Sequence, residues 1–185
     1  MTAVSPVRTR CPADLISAVR AATSQHADWA QTAELVAAQL RSHLPSAPAL
    51  LTAAERDGDP DDYHCYVLHA EPDGAFSVTA MVWRPGQVTP IHDHVTWCVF
   101  GVLQGVEYEE LFTLAADGSQ LLGAGRNEGR PGDVSGFAPP GDIHRVRNIG
   151  AGVAISLHVY GADITRLGSS VRRTYDLPVQ AAPAG

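Results

Sequence analysis

The sequence predicts a mainly β protein, an antiparallel sandwich or barrel that follows an N-terminal α-helical preface. From about residue 63 onward, short runs rich in β-branched and aromatic residues alternate with turn-forming pairs such as Pro-Gly and Asp-Gly. Strands without helices between them pair antiparallel and bury a face in a sandwich or barrel. A chain of 185 residues, 45% hydrophobic, suffices for one core. We therefore predict one domain over 1–185, with the preface at about 11–45 and the β-barrel at about 63–165.

Two helices are predicted in the preface. After Pro12, which suits a first helical turn, apolar residues such as Leu15 and Val19 recur at helical spacing. A second helix is predicted from Asp28, a good N-cap, to just before Pro45.

The remaining segments are predicted from turn signals and composition. The stretch 48–62 contains Asp-Gly-Asp-Pro turn chemistry, and the first ten residues and the tail after Leu177 are expected to be irregular. The predicted strands are 63–69, 76–83, 96–103, 107–114, 133–138, 145–148 and 153–160.

Composition excludes several classes of function. A net charge of −7 argues against a nucleic-acid partner, which needs a cationic face. Three widely spaced cysteines do not form a secreted disulfide framework, and no apolar run is long enough to cross a bilayer. We expect a cytoplasmic protein, a monomer or small homo-oligomer, without a membrane or nucleic-acid partner.

Three histidines form the predicted metal site. His92 and His94 stand at i and i+2, so a strand places both imidazoles on one face. His144 lies fifty residues further along, and closure of a barrel can bring it to the same point. Three neutral imidazoles leave positions open for substrates, but they suit Fe, Zn, Ni or Cu alike.

The order of residues around these histidines resembles the two signatures of the cupin superfamily. The first signature is Gly86, five residues, His92-x-His94, three residues, Cys98, six residues and Gly105. Its usual glutamate is here Cys98. The second is Pro-x-Gly at 139–141, followed by His144 and Asn148. The resemblance implies a jelly-roll-like β-barrel that holds a metal in its mouth.

A polar face is predicted on the last strand. Ser156, His158 and Tyr160 alternate with apolar residues, so period two directs all three into the barrel, where each needs a partner. These side chains can orient the tyrosine hydroxyl toward the metal and carry a proton. A purely structural hydrogen-bond ladder is the alternative interpretation.

Together these features resemble the thiol dioxygenases, the family of cysteine dioxygenase and 3-mercaptopropionate dioxygenase. The resemblance spans about 63–160. It implies an Fe(II) enzyme that adds O₂ to the sulfur of a small thiol, such as cysteine, 3-mercaptopropionate or a related thiol acid, to give a sulfinic acid. Tyr160, held by His158 and Ser156, would anchor substrate or oxygen. The resemblance also suggests a thioether between Cys98 and Tyr160, although a buried cysteine is often only a small core residue.

The sequence departs from the family pattern at the residue that binds the substrate carboxylate, called the substrate clamp below. The family grips the substrate carboxylate with an arginine or glutamine two residues after the tyrosine aligned with Tyr63, and here that residue is Cys65. A thiol is a weak donor without positive charge. Either Arg172 or Arg173 reaches in from downstream, or the substrate is a different or larger thiol. Cys65 is equally compatible with a core position.

Two other classes of function stay open from the sequence. The chain could be another metal-dependent cupin enzyme, such as an isomerase or a different dioxygenase, or a non-catalytic cupin that binds a small ligand. Metal analysis and O₂ uptake with a panel of thiols separate the three.

Overall fold

The computed structural model describes residues 10–181. The helices are α1 (Ala13–Thr23), α2 (Trp29–His43), α3 (Ala47–Leu50), α4 (Ala53–Asp57) and α5 (Ile164–Leu167). The strands are β1 (His64–Ala70), β2 (Ser77–Trp83), β3 (His92–His94), β4 (Cys98–Gln104), β5 (Glu107–Leu114), β6 (Leu121–Gly129), β7 (Val134–Phe137), β8 (Ile143–Asn148), β9 (Ala154–Tyr160), β10 (Val171–Thr174) and β11 (Val179–Gln180).

The two predicted helices of the preface are confirmed. Asp28 caps α2 because its side chain accepts a hydrogen bond from the Gln31 backbone N–H. The segment 48–62 differs from the prediction, since it contains part of α3 and all of α4. A capping box starts α4: Thr52 and Glu55 each bond the other's backbone N–H.

Two curled, largely antiparallel sheets form the body of the molecule. One has the strand order β1-β2-β9-β4-β7, and the other has the order β10-β3-β8-β5-β6-β11. The mainly β fold class with N-terminal helices is therefore confirmed. Non-consecutive strands are neighbours in both sheets, so residues distant in sequence meet inside the barrel.

Several strands lie outside the sequence prediction. β6 is rich in glycine and charge and mostly exposed, so its composition gives no strand signal, and its pairing with β5 decides its conformation. β10 and β11 extend the sheet beyond residue 165, where the barrel was predicted to end. The tail after Leu177, expected to be irregular, pairs in parallel with β6 through Val179 and Gln180.

The central strand β9 separates the core from the barrel interior. All seven of its residues are buried. Ile155, Leu157 and Val159 join the apolar core that also contains residues of α1 and α2. By the period of two, the intervening residues of β9 face the barrel interior. The helices therefore cover the outside of this sheet and leave its inner face for a site.

A tight turn fixes the approach to β5. Gly105 has φ of +76°, and a Cβ there would lie 2.7 Å from the Ala154 Cα. Only glycine fits such a position, which explains the last glycine of the first signature in physical terms.

None of the helices within residues 10–181 is long and apolar enough to span a bilayer. The predicted irregular N-terminal segment lies outside the described residues, except for residue 10.

Candidate metal centre

The three predicted histidines converge inside the barrel. His92 and His94 lie on β3, and His92 is the cross-strand partner of His144 on β8. One nitrogen from each of the three rings lies within 4.8 Å of those of the other two. All three side chains are buried. The sheet pairing thus joins two residues that the sequence separates by 52 positions.

The second nitrogen of each ring has its own acceptor. His92 Nδ1 donates to the Pro90 carbonyl at 2.9 Å, His94 Nδ1 to Asp142 at 3.0 Å, and His144 Nδ1 to Glu109 at 2.7 Å. These bonds fix the tautomer and leave each Nε2 free to act as a ligand, as in metal sites generally.

This donor set fits a divalent cation. His144 Nε2 is buried and has no hydrogen-bond partner among residues 10–181. A buried polar atom without a partner is unfavourable unless a ligand satisfies it. Three imidazole nitrogens are a normal set for a catalytic metal with open positions.

Burial keeps His92 and His94 in the neutral form that binds metal. Burial, together with the neighbouring His144 and His94, lowers the pKa of His92 to about 3. Burial also lowers the pKa of His94, against the opposing effect of Asp142. Because neutral imidazole is the ligand, metal binding costs no proton release from these rings near neutral pH.

Beside the histidines lies the polar ladder, defined as Ser156, His158 and Tyr160. Ser156 Oγ is 2.9 Å from His158 Nε2, and Tyr160 Oη is 3.3 Å from His158 Nδ1. Burial lowers the pKa of His158 to about 3. Burial, with smaller effects from neighbouring thiols, raises the pKa of Tyr160 well above its ordinary value. The Tyr160 and His94 rings stack with centroids 6.4 Å apart, so the ladder ends next to the histidines.

The three histidines, His158 and Tyr160 line one cavity of about 560 Å³. Two predicted substrate residues, Tyr63 and Cys65, also line it, and Tyr63 stacks on Trp83 at 4.5 Å. Among the residues that the structure describes, those lining this cavity include no arginine.

Sequence comparison identifies the family. The family described as cysteine dioxygenase type I matches residues 1–168. The chain belongs to the cysteine dioxygenase type I family. This confirms the resemblance inferred from the signatures and the ladder, and it makes the chain a member of a dioxygenase family.

Three solved structures are similar to this chain at low identity. A recombinant oxalate oxidase in complex with glycolate is 20% identical with a TM-score of 0.48, over 64% of this chain and 59% of that one. An oxalate decarboxylase of Lactobacillus farciminis in a formate complex is 20% identical with a TM-score of 0.46, over 57% of this chain and 30% of that one. A cupin 2 conserved barrel domain protein from Salinispora arenicola CNS-205 is 20% identical with a TM-score of 0.43, over 60% of this chain and 85% of that one. These likenesses concern the fold alone.

Cys98, the residue at the glutamate position of the signature, lies directly across from Tyr160. The two are cross-strand partners between β4 and β9. Cys98 Sγ is 3.8 Å from His158 Nδ1, and its thiol is free and buried. Burial, together with the Glu109 charge, raises the pKa of Cys98 well above its ordinary value.

Cys65 lies in the cavity wall as a buried thiol. Burial raises its pKa to about 11, so it is protonated and carries no charge at neutral pH. The position that holds a cationic or amide clamp elsewhere in the family therefore offers only a weak donor.

The structure does not bring Arg172 and Arg173 into the cavity. Both guanidinium groups lie near Asp93, at 3.9 and 3.5 Å, and both side chains are more than half exposed. A bulge in β10 between Val171 and Arg173 explains this placement, because a bulge breaks the strict in–out alternation. The expectation of a clamp from β10 is thus not supported.

Several carboxylates of the site are absent from the sequence prediction. Glu109 and Asp142 accept hydrogen bonds from His144 and His94, and Glu107 lines the cavity. Acidic residues at alternate positions of a buried strand were the available signal for the two glutamates, because one strand face carries both.

Proposed function

We propose that this protein is an iron-dependent thiol dioxygenase that converts a small thiol to its sulfinic acid. The observation that carries the proposal is the meeting of three free imidazole Nε2 atoms with the Tyr160 hydroxyl in one cavity. Membership of the cysteine dioxygenase type I family supports the reaction class.

His92, His94 and His144 are the proposed ligands of the ion. When bound, Fe(II) would supply Lewis acidity and one-electron chemistry for the thiol and O₂. Glu109 and Asp142 would orient two of the rings and raise their basicity through the Nδ1 hydrogen bonds.

Tyr160 is the proposed anchor for the reacting groups. Its hydroxyl is held by His158, which Ser156 fixes in turn, so the phenol keeps one position beside the histidines. Burial keeps the phenol protonated, so its hydroxyl can donate to His158 and accept a proton from a reacting group. His158 and Ser156 therefore act by positioning.

Cys98 and Tyr160 are further proposed to form a thioether in the active enzyme. The cross-strand pairing places both side chains together in the barrel. The bond joins Sγ to a ring carbon and removes two hydrogen atoms, with O₂ as the oxidant. Intact mass spectrometry of active protein should show that loss, and Cys98→Ser should abolish it. Full activity at the unmodified mass would refute the cross-link.

The substrate class is a small thiol, with cysteine, 3-mercaptopropionate and related thiol acids as candidates. The experiment is anaerobic loading with Fe(II), followed by O₂ consumption with cysteine, 3-mercaptopropionate, mercaptosuccinate and cysteamine. We expect one sulfinate formed for each O₂ consumed with at least one thiol. O₂ uptake without any sulfinate, or no uptake with any thiol, would overturn the proposal.

A matched pair of variants tests the metal ligands. His144→Asn should lose both iron and thiol-dependent O₂ uptake. His26→Asn is the control, because His26 is exposed and asparagine tolerates its φ of 52°. Equal iron content in the two variants would contradict the assigned ligand.

A further inference from the structure

Glu107 is a buried carboxylate with no role in the chemistry described above. It lies on β5, lines the cavity and is only 3% exposed. Neither of its oxygens has a hydrogen-bond partner among residues 10–181. Buried carboxylates are strongly disfavoured without partners, so this one calls for a functional explanation.

The neighbouring residues on the same sheet do not donate a hydrogen bond to the Glu107 carboxylate. Asn148 is its cross-strand partner on β8, but the two amide hydrogens of Asn148 go to the carbonyls of Trp83 at 2.9 Å and Gly152 at 2.8 Å. The next inward residue of β5 is Glu109, whose negative charge opposes ionisation of Glu107. A donor must therefore come from the opposite sheet.

The opposite sheet presents Ser156 and the Trp83 indole. Both favour the charged form of Glu107. Ser156 Oγ lies 3.4 Å from Trp83 Nε1 and 2.9 Å from His158 Nε2. An indole N–H can only donate, so Ser156 uses one lone pair to accept from it.

The number of available protons determines which groups donate and which accept the hydrogen bonds of the polar ladder. If Tyr160 donates its hydroxyl proton to His158 Nδ1, the imidazole proton sits on Nε2 and is donated to Ser156. Both Ser156 lone pairs are then occupied, and its hydroxyl proton needs an acceptor. Glu107 is a carboxylate on that side with free oxygens.

We propose that Glu107 is the fourth member of the polar ladder and its proton acceptor, and that the Ser156 hydroxyl donates to its carboxylate. The inference rests on the proposed function, since the proton comes from the substrate thiol. The S–H bond breaks and sulfur keeps the electron pair. Tyr160, His158 and Ser156 each receive one proton and pass one on. A new O–H bond forms on Glu107.

The acidity of Glu107 suits this task. Burial raises its pKa to about 7, so the carboxyl can both take up and release a proton near neutral pH. Its own strand contributes Glu109, β9 contributes Ser156, β2 contributes Trp83 and β8 contributes Asn148, while His158 lines the same cavity. His158 stays neutral because burial lowers its pKa to about 3.

The first test determines the tautomer of His158 by ¹⁵N NMR of the full chain loaded with Zn(II), a diamagnetic ion. Above the pKa of Glu107, the wild type should carry the proton on Nε2. Glu107→Gln keeps an acceptor for Ser156 and should keep that tautomer, whereas Glu107→Leu removes the acceptor and should move the proton to Nδ1. An unchanged tautomer in Glu107→Leu would overturn the assignment.

The second test uses the pH profile of thiol-dependent O₂ consumption by the iron-loaded enzyme. In the wild type, kcat should rise with pH through about 7, because Glu107 accepts a proton only when ionised. Glu107→Gln should lose this limb and at least about tenfold in kcat, with KM within about twofold. Glu34→Gln, at an exposed glutamate of α2, is the control.

The two proposals fail in different ways. A wild type that consumes no thiol contradicts the proposed dioxygenase, while the NMR result still judges the position of Glu107. Normal kcat and an unchanged pH profile in Glu107→Gln refute the proton acceptor and leave the dioxygenase intact.

Discussion

Replacing Glu107 with glutamine should stabilise the fold at neutral and alkaline pH, independently of any catalysis. Burial raises the pKa of this carboxyl from 4.5 to about 7. The folded state therefore holds the proton more tightly than the unfolded state does. The raised pKa of Glu107 stabilises the folded wild type fully below about pH 4.5, and this stabilisation is lost as the pH rises through about 7. A glutamine has no such proton to lose.

The magnitude follows from the size of the pKa shift. A difference of roughly 2.5 pKa units corresponds to about 3 kcal/mol of unfolding free energy. The free-energy difference between Glu107→Gln and wild type should thus grow by about 3 kcal/mol from acid to alkaline pH and be complete above pH 7.

Urea denaturation of the metal-free protein, followed by circular dichroism at several pH values, measures this difference. Subtracting the two proteins removes the pH dependence of all other groups. Glu34→Gln, at an exposed glutamate of α2, is the matched control substitution. A Glu107→Gln difference that stays constant across pH would refute a raised pKa at this position.

Three further predictions concern the metal, the substrate and the packing. Glu109→Gln should weaken metal affinity by about 10- to 100-fold, measured by chelator competition, because a ligand histidine loses its carboxylate acceptor. Cys65→Arg should raise kcat/KM for cysteine by adding a cation to a cavity wall; unchanged or lower activity in folded, iron-loaded protein would reject that placement. Gly161→Ala should cost about 1–3 kcal/mol in thermal or urea unfolding, since its Cβ would lie 2.1 Å from the buried Trp97 nitrogen. Gly152→Ala, with open space at the Cβ, should cost less.

The strand and helix pattern could be predicted because local chemistry decides it. Alternating apolar residues, turn pairs and the Asp28 cap give α1, α2 and most strands to within a few residues. β6 could not be predicted, because its glycine-rich, exposed sequence becomes a strand only through the hydrogen bonds of β5. β10 and β11 also depend on partners far away in sequence, His94 and Leu121 among them.

The sequence by itself determined the chemistry that the site can offer: three imidazoles, a Ser-His-Tyr face and a thiol at the glutamate position. Their types and spacings are local, so a strand period of two suffices to align them. Only the tertiary structure decided which charges surround them. The bulge in β10 turned Arg172 and Arg173 outward to Asp93, and the pairing of β5 with β8 carried Glu107 inward. Register and bulges depend on the whole sheet, and no short stretch of sequence encodes them.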